Sequence, residues 1–289
     1  MNKSKPHTKR PVDIRRTLDA IERTVMGFDR LTIWTDHPAP DIPVDAIQQH
    51  CRKLEVKDDY SLAFHPVWQT EIKIFQPSRQ ALIELQRALG PRRRTTVRYA
   101  EVALDWLANH RSAAQVIYDF VLERLHVPYM RQPVVFEEGT AYFARRSSVD
   151  GSKNGTIVAM YADRVSDLWP AHQLPLPCCH LEYRLQGAET LAQYGLLSLP
   201  DCIGFDHQAF WREHLRLFRL PKKLDLGYRL APENTDVSKE ALRKRANRIL
   251  DHYRHGDAIV LQNLWRENPV IDDLITRIDN SPFINDVTL

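Results

Sequence analysis

The sequence is poor in cysteine and has no long apolar stretch. Its four cysteines form no Cys-x-x-Cys pair, which argues against structural zinc and a disulfide framework and favours a reducing, cytoplasmic setting. No apolar run approaches the roughly 18 residues that a membrane span needs, so no membrane association is expected. The basic N-terminus lacks the apolar core of a secretory signal, and we expect it to have no such role.

Several familiar catalytic motifs are also missing. The chain contains no GxGxxG fingerprint, no GxxxxGK[ST] loop, no GxSxG elbow, no HExxH helix and no His-x-His pair. Dinucleotide binding, P-loop phosphate binding, serine hydrolysis and zinc-protease chemistry are therefore poorly supported.

The composition is that of a globular protein with unevenly distributed charge. The 289 residues are 43% apolar and 27% charged, which suits about two domains. Net charge is only +3, but residues 1–16 hold six basic residues against one acid, and further basic clusters lie at residues 92–94 and 239–248. Clustered basic charge suits a polyanion, although a solvated surface explains any single cluster about equally well.

Hydrophobic periodicity predicts an α+β fold. Alternating patterns indicate strands over residues 28–35, 70–75, 97–106, 140–146, 156–161 and 179–185. Helical patterns predict helices over residues 44–54, after Ser78, after residue 112, from Gly187 and after the capping residue Asp206. We expect a flexible basic arm over 1–16, a main domain over 17–222 and a helical appendage over 223–289.

Polar side chains are in phase on two of these strands. Glu101 and Asp105 share a face, with core residues on the other side, and His180, Glu182 and Arg184 share a face of a later strand. Carboxylates and an imidazole on neighbouring strands suit Mg²⁺ or Mn²⁺, so the expected ligands are Glu101, Asp105, His180 and Glu182. The alternative is a solvated sheet face, and as a solvated ligand Glu182 is expected to contribute little to the fold.

Four segments in order resemble the rolling-circle replication initiation-factor family, which includes filamentous-phage and plasmid initiators and related relaxases. They are EVALDW at 101–106, TAYFARRSS at 140–148, TIVAMYADR at 156–164 and HLEYRLQGAETLAQYGLLSLPD at 180–201. The likeness extends over about residues 95–220. It implies a central antiparallel-rich sheet with helices on one side, and a site-specific endonuclease and strand transferase that uses Mg²⁺ or Mn²⁺.

The resemblance assigns roles to individual residues. Tyr161 matches the family's strand tyrosine and is the expected nucleophile, with Arg184 stabilising the phosphate. Small Ala159 and Ala162 flank Tyr161 and leave room for a phosphate, while Tyr99 is the main rival. Residues expected to bind DNA are Arg145, Arg146, Arg164, Arg92, Arg93, Arg94, Lys244 and Arg248.

The expected partners follow from the same resemblance. They are origin DNA, single-stranded or hairpin at the nick with duplex nearby, together with a host helicase and polymerase, and a homodimer remains open. Two other functions stay open as well. One is a conjugative relaxase with the same chemistry, and the other is a non-enzymatic DNA-binding regulator on the same fold.

Overall fold

One eight-stranded antiparallel sheet organises the part of the chain that the computed structural model describes, which is residues 14–57, 67–127, 134–143, 155–170 and 172–217 with Ala241 and Lys244. The strand order is β2-β3-β1-β4-β8-β7-β6-β5. The strands are β1 Arg23–Thr35, β2 Lys53–Lys57, β3 Thr70–Phe75, β4 Thr95–Leu107, β5 Val135–Glu137, β6 Thr140–Phe143, β7 Gly155–Tyr161 and β8 Cys178–Gln186.

The helices pack on one face of this sheet, which confirms the predicted α+β class. They are α1 Ile14–Ala20, α2 Val44–Gln48, α3 Arg79–Leu89, α4 Arg111–Leu122, α5 Ala188–Gln193, α6 Leu199–Ile203 and α7 His207–His214, with a 3₁₀ turn at Ala39–Asp41. Their apolar sides cover strand residues such as Leu31, Val102 and Leu181, all fully buried. Ser78 and Asp206 cap α3 and α7 as expected.

The predicted helix over residues 44–54 is wrong in its second half. Helix α2 ends at Gln48, and the chain turns at His50 and Cys51 before it enters β2 at Lys53. Strand β2 then pairs along β3 over its whole length, with Leu54 opposite Ile74. Tertiary pairing of a short edge strand therefore prevailed over the local apolar pattern.

The opposite face of the sheet is covered at one end only, among the described residues. Leu168 and Trp169, from the segment that follows β7, pack against Val25, Ala103 and Leu107. This contact closes the end of the face that carries Asp105, whose side chain is fully buried. The remaining part of this face, toward β2 and β3, carries half-exposed polar and aromatic side chains.

The predicted domain limits fall largely outside the described residues. Residues 1–13 and nearly all of 223–289 are not among them, and residues 14–16 form the start of α1. Within the described part, no helix combines the length and apolarity needed to cross a membrane.

Candidate functional site

The strand register brings the predicted polar residues to one face. Residues directly opposite each other in an antiparallel pair point to the same side. Asp105 lies opposite His180, which in turn lies opposite Tyr161. In the next rows Ala103 lies opposite Glu182, and Glu101 lies opposite Arg184. The face shared by Glu101, Asp105, His180 and Glu182 is thus the face away from the helices.

This part of the face is not solvated. Glu101, Asp105, His180 and Glu182 are between 0% and 5% exposed. The expectation that Glu182 is a solvated side chain is wrong, because the Leu168 and Trp169 segment and the neighbouring arginines exclude water. A buried carboxylate is costly unless it is paired. The contacts of these groups therefore decide their chemistry.

Asp29 joins this group, which sequence analysis missed. Carboxylate oxygens of Asp29, Glu101 and Glu182 lie within 4.8 Å of one another. Core residues along β1 change phase at this point, since Phe28 and Leu31 both face the helices. The register against β4 shifts between Phe28 and Arg30, and this bulge leaves both Asp29 and Arg30 on the other face. Two consecutive polar residues between core residues are the signal that would have indicated it.

Gln76 holds the Asp29 carboxylate in place. Its Nε2 donates to Asp29 Oδ1 at 2.7 Å, and its backbone N–H donates to the Asp29 carbonyl at 2.9 Å. Gln76 follows β3 with a φ of 41°, in the left-handed region that non-glycine residues rarely adopt. The strained backbone is kept where it fixes a carboxylate of the cluster.

His180 is oriented by a chain of hydrogen bonds. Its Nδ1 donates to Asp105 Oδ1 at 2.5 Å, Ser166 Oγ donates to Asp105 Oδ2, and the Trp169 backbone N–H donates to Ser166 Oγ at 3.1 Å. The other ring nitrogen, Nε2, is buried, has no hydrogen-bond partner among the described residues and lies 3.5 Å from Glu182 Oε2. Burial opposes protonation, but the charge and hydrogen bond of Asp105 raise the pKa of His180 well above its usual value.

Two arginines neutralise part of the carboxylate charge. Arg184 donates to Glu182 Oε1 through Nε at 2.8 Å and Nη2 at 2.5 Å. Arg30 Nη2 and Tyr99 Oη donate to Glu101 Oε1 at 2.8 Å and 2.5 Å. Both arginines are about one third exposed, so they lie at the open side of the cluster.

The two glutamates have opposite pKa shifts. Burial, followed by the nearby charge of Glu182, raises the pKa of Glu101 to about 7. Burial acts in the same direction on Glu182, but the charge of His180, whose Nε2 is 3.5 Å away, and the charge and hydrogen bonds of Arg184 outweigh it and lower the pKa to about 2. Burial also raises the pKa of Asp29. Glu101 and Asp29 therefore bind a proton more readily than isolated carboxylates do, whereas Glu182 binds one less readily because His180 and Arg184 lie beside it.

The Glu101→Gln substitution is expected to stabilise the metal-free protein at high pH. Because the folded-state pKa is raised, the contribution of Glu101 to the free energy of unfolding is complete below about pH 4.5 and is lost as the pH rises through 7. The substituted glutamine carries no charge and avoids this loss, so at pH 8 in EDTA we expect a gain on the order of 1 to 3 kcal/mol. Urea unfolding at pH 4 and pH 8 measures it. A variant that is less stable than the wild type at pH 8 would contradict the raised pKa.

Tyr161 lies beside this cluster. Its ring stacks on His180 with a centroid distance of 4.5 Å and an interplanar angle of 17°, and the Arg164 guanidinium lies 4.7 Å from its centroid. Burial and the charges of Asp105 and Glu182 raise the pKa of Tyr161. The hydroxyl of the rival Tyr99 donates a hydrogen bond to Glu101. Tyr142 lies opposite Ala159, which in turn lies opposite Glu182, so Tyr142 is two strands away from Glu182 in the same row.

The predicted DNA-binding residues do not all meet at this site. Arg164 is exposed next to Tyr161, and Lys244 is also exposed. Arg92–Arg94 are exposed in the turn before β4, and Arg94 is seven residues from Glu101, roughly 23 Å along an extended strand. Arg145, Arg146 and Arg248 lie outside the described residues.

Comparison with known proteins finds structural similarity only at a low level. No protein-family model matches the sequence, and no curated protein matches it at a significant level. A solved rolling circle replication initiator protein from Geobacillus stearothermophilus superposes on 79% of this chain and 97% of its own, at 13% identity and a TM-score of 0.35.

Proposed function

We propose that Asp29, Glu101, Glu182 and His180 bind one divalent cation, Mg²⁺ or Mn²⁺. Three carboxylate oxygens converge within 4.8 Å of one another, and the Nε2 atom of His180 lies 3.5 Å from one of these carboxylates, that of Glu182. Oxygen ligands with an added imidazole are a donor set that suits these ions. The buried Nε2 of His180 supports the assignment, because none of the residues that the structure describes forms a hydrogen bond with it, while Nδ1 is held by a carboxylate. Metal-binding histidines commonly have this arrangement.

Asp105 takes a different role in this proposal from the one that the sequence suggested. Both of its carboxylate oxygens are engaged, one by His180 and one by Ser166. We therefore assign Asp105 to orienting His180 rather than to coordination. The proposed ligand set keeps three of the four residues expected from the sequence and adds Asp29.

We further propose that the protein nicks and rejoins one DNA strand and thereby initiates rolling-circle replication. The observation that carries this proposal is the single sheet face on which the carboxylate cluster, Tyr161 and Arg184 occur together. A phenol beside a cation site and two arginines is suited to transesterification of a phosphodiester. The order of motifs along residues 101–201 points to the same chemistry.

In this reaction the Tyr161 oxygen attacks the phosphorus. The phenol loses its proton, a bond forms between Oη and phosphorus, and the bond between phosphorus and the 3′ oxygen breaks. The 3′ oxygen takes up a proton, which leaves a 5′-phosphotyrosine and a free 3′-OH. Arg184 and Arg164 stabilise the added negative charge. A bound divalent cation would polarise the phosphate and offset the carboxylate charge that keeps the phenol protonated.

The remaining alternatives differ from this proposal in a measurable way. A conjugative relaxase would carry out the same cleavage at an origin of transfer, so it is separated by the DNA sequence that is cut. A non-enzymatic regulator would bind DNA without needing the cation. Incubation with supercoiled plasmid carrying a candidate origin tests the proposal: open circles with covalently attached protein are expected with Mg²⁺ or Mn²⁺, and none with EDTA.

The Asp105→Asn substitution is expected to weaken Mn²⁺ binding by about 10- to 100-fold. Asparagine keeps the size of the side chain but cannot hold the His180 ring as strongly as a carboxylate does. Calorimetric titration with Mn²⁺ measures the change. Asp167→Asn is the matched control, since the Asp167 side chain is 63% exposed and lies next to Ser166, the residue that contacts Asp105. Unchanged Mn²⁺ affinity in the Asp105 variant would contradict the orienting role.

A further inference from the structure

The sheet face that carries the carboxylate cluster continues toward β2, and in the described part of the chain Leu168 and Trp169 cover only its other end. One row of paired residues runs from Lys53 through Phe75 and Arg30 to Glu101. At about 4.8 Å per strand, this row spans roughly 14 Å. The next row runs from Glu55 through Lys73 and Thr32 to Tyr99. We call the surface formed by Arg30, Lys53, Lys73, Phe75 and Tyr99 the aromatic–basic surface.

Cations on this side of the sheet lie against aromatic rings. The Arg30 guanidinium is 4.5 Å from the Tyr99 ring centroid, and Lys53 Nζ is 5.5 Å from that of Phe75. Farther along the strands, the Arg98 guanidinium lies 4.4 Å from the ring of Trp34. Phe75 and Tyr99 are half-buried and do not belong to the helix-side core, so packing against the helices does not explain them.

A ring and a cation side by side match the two parts of an unpaired nucleotide. The ring stacks on a base, and the cation contacts the phosphate. A duplex keeps its bases stacked on each other and cannot use the rings. Lys53 pairs with Glu55, and because this exposed ion pair is weak, a phosphate can replace the carboxylate. Lys73 lies 3.3 Å from the largely buried Glu71, but its own side chain is 38% exposed and can contact a phosphate.

We propose that the aromatic–basic surface binds an unpaired DNA strand and leads it to the carboxylate cluster. That the strand ends at a cleavage site rests on the proposed function, whereas the binding itself does not. The surface meets the cluster through Arg30 and Tyr99, both of which donate to Glu101.

Binding of a fluorescent single-stranded oligonucleotide by the full chain in EDTA tests the proposal without any need for cleavage. The double variant Lys53→Gln/Lys73→Gln is expected to lower the slope of log affinity against log salt by about 1.4, at about 0.7 per phosphate contact. Phe75→Leu keeps an apolar side chain but removes the ring, and a loss of about fivefold or more in affinity is expected.

The matched control is Arg87→Gln/Arg111→Gln on the helix side. These residues are also exposed, and Arg87 is paired with a glutamate as Lys53 is. The control is expected to leave slope and affinity unchanged. An equal effect of the control, an unchanged slope in the Lys53/Lys73 variant, or an equal loss on duplex DNA would each overturn the proposal. Tighter binding of an RNA strand of the same sequence would also overturn it.

The outcome separates this surface from the proposed catalysis. If the variants lose single-strand binding while the wild type shows no metal-dependent nicking, the surface stands and the proposed function fails. If the wild type nicks DNA and the variants bind the single strand as it does, the function stands and the surface assignment fails.

Discussion

The Tyr161→Phe variant is expected to form no covalent adduct with an origin oligonucleotide. The substitution removes one oxygen and leaves the ring, so its stacking on His180 and its contact with Arg164 persist. Without the phenol oxygen no bond to phosphorus forms, and cleavage should fall by at least about 10³-fold. Adduct is measured as a band shift on denaturing gels after incubation with Mn²⁺.

Folding and DNA affinity should survive this change. Tyr161 is half-buried, and removal of a hydroxyl at such a position is expected to alter the free energy of unfolding by no more than about 1 kcal/mol. Tyr99→Phe and Tyr142→Phe are the matched controls and should still form adduct. If adduct persists in the Tyr161 variant and disappears in the Tyr99 variant, the nucleophile is Tyr99 and the assignment is wrong.

Strand periodicity alone was enough to predict which polar residues share a face. Side chains in a strand alternate with a period of two, so the phase of Glu101 and Asp105 relative to Val102 and Leu104 decided their side of the sheet. The same logic placed His180 and Glu182. Five of the six predicted strands are confirmed over their whole length, and the sixth is confirmed at Thr140–Phe143, because residues 144–146 lie outside the described part of the chain. Each of the six combines alternation with β-branched or aromatic residues.

The residues that complete the site could not be obtained in this way. Asp29 reaches the cluster through a register shift, and a bulge breaks the periodicity on which the prediction relies. Ser166 and Gln76 contact the site from irregular segments that are distant in sequence, 61 residues from Asp105 and 47 from Asp29. Such contacts depend on how the chain folds back over the sheet.

Burial of the site was the other property that the pattern could not supply. An alternating strand with acids on one side is typical of a solvated face, and this pattern predicts a solvated Glu182. The Leu168 and Trp169 segment instead packs on that face, at a point where Gly27 leaves room: a Cβ on Gly27 would lie 3.3 Å from Leu168. Because the effective dielectric constant is lower in the interior than in water, the charges of these buried acids interact strongly with one another and with their neighbours.

The pKa shifts of the two glutamates therefore lead to opposite effects on stability. Glu101 costs stability when it ionises, whereas Glu182 contributes stability through His180 and Arg184. Because the folded-state pKa of Glu182 is lowered, its contribution is present above about pH 4.5 and is lost as the pH falls toward 2. Replacement of either glutamate by glutamine removes one proposed cation ligand, but the two replacements should change the free energy of unfolding in opposite directions. Loss of metal binding can therefore be distinguished from loss of stability.

Glu182→Gln is expected to abolish metal-dependent nicking and to weaken Mn²⁺ binding by at least about 100-fold. The carboxylate lies at the centre of the cluster, within reach of Asp29, Glu101 and His180. In EDTA at pH 7 the variant should also be less stable than the wild type, by on the order of 1 to 3 kcal/mol. Urea unfolding and calorimetric titration with Mn²⁺ measure the two effects.

Glu101→Gln is the control that makes this result specific. Both variants should lose the stabilisation that Mn²⁺ gives the wild type, which is about 2.7 kcal/mol at 100 times the dissociation constant. In EDTA at pH 8, however, the Glu101 variant should be more stable than the wild type and the Glu182 variant less stable. Loss of nicking then follows loss of the cation rather than loss of the fold. A Glu182→Gln protein that still binds Mn²⁺ and nicks DNA at the wild-type rate would remove Glu182, and with it the proposed cation site, from the mechanism.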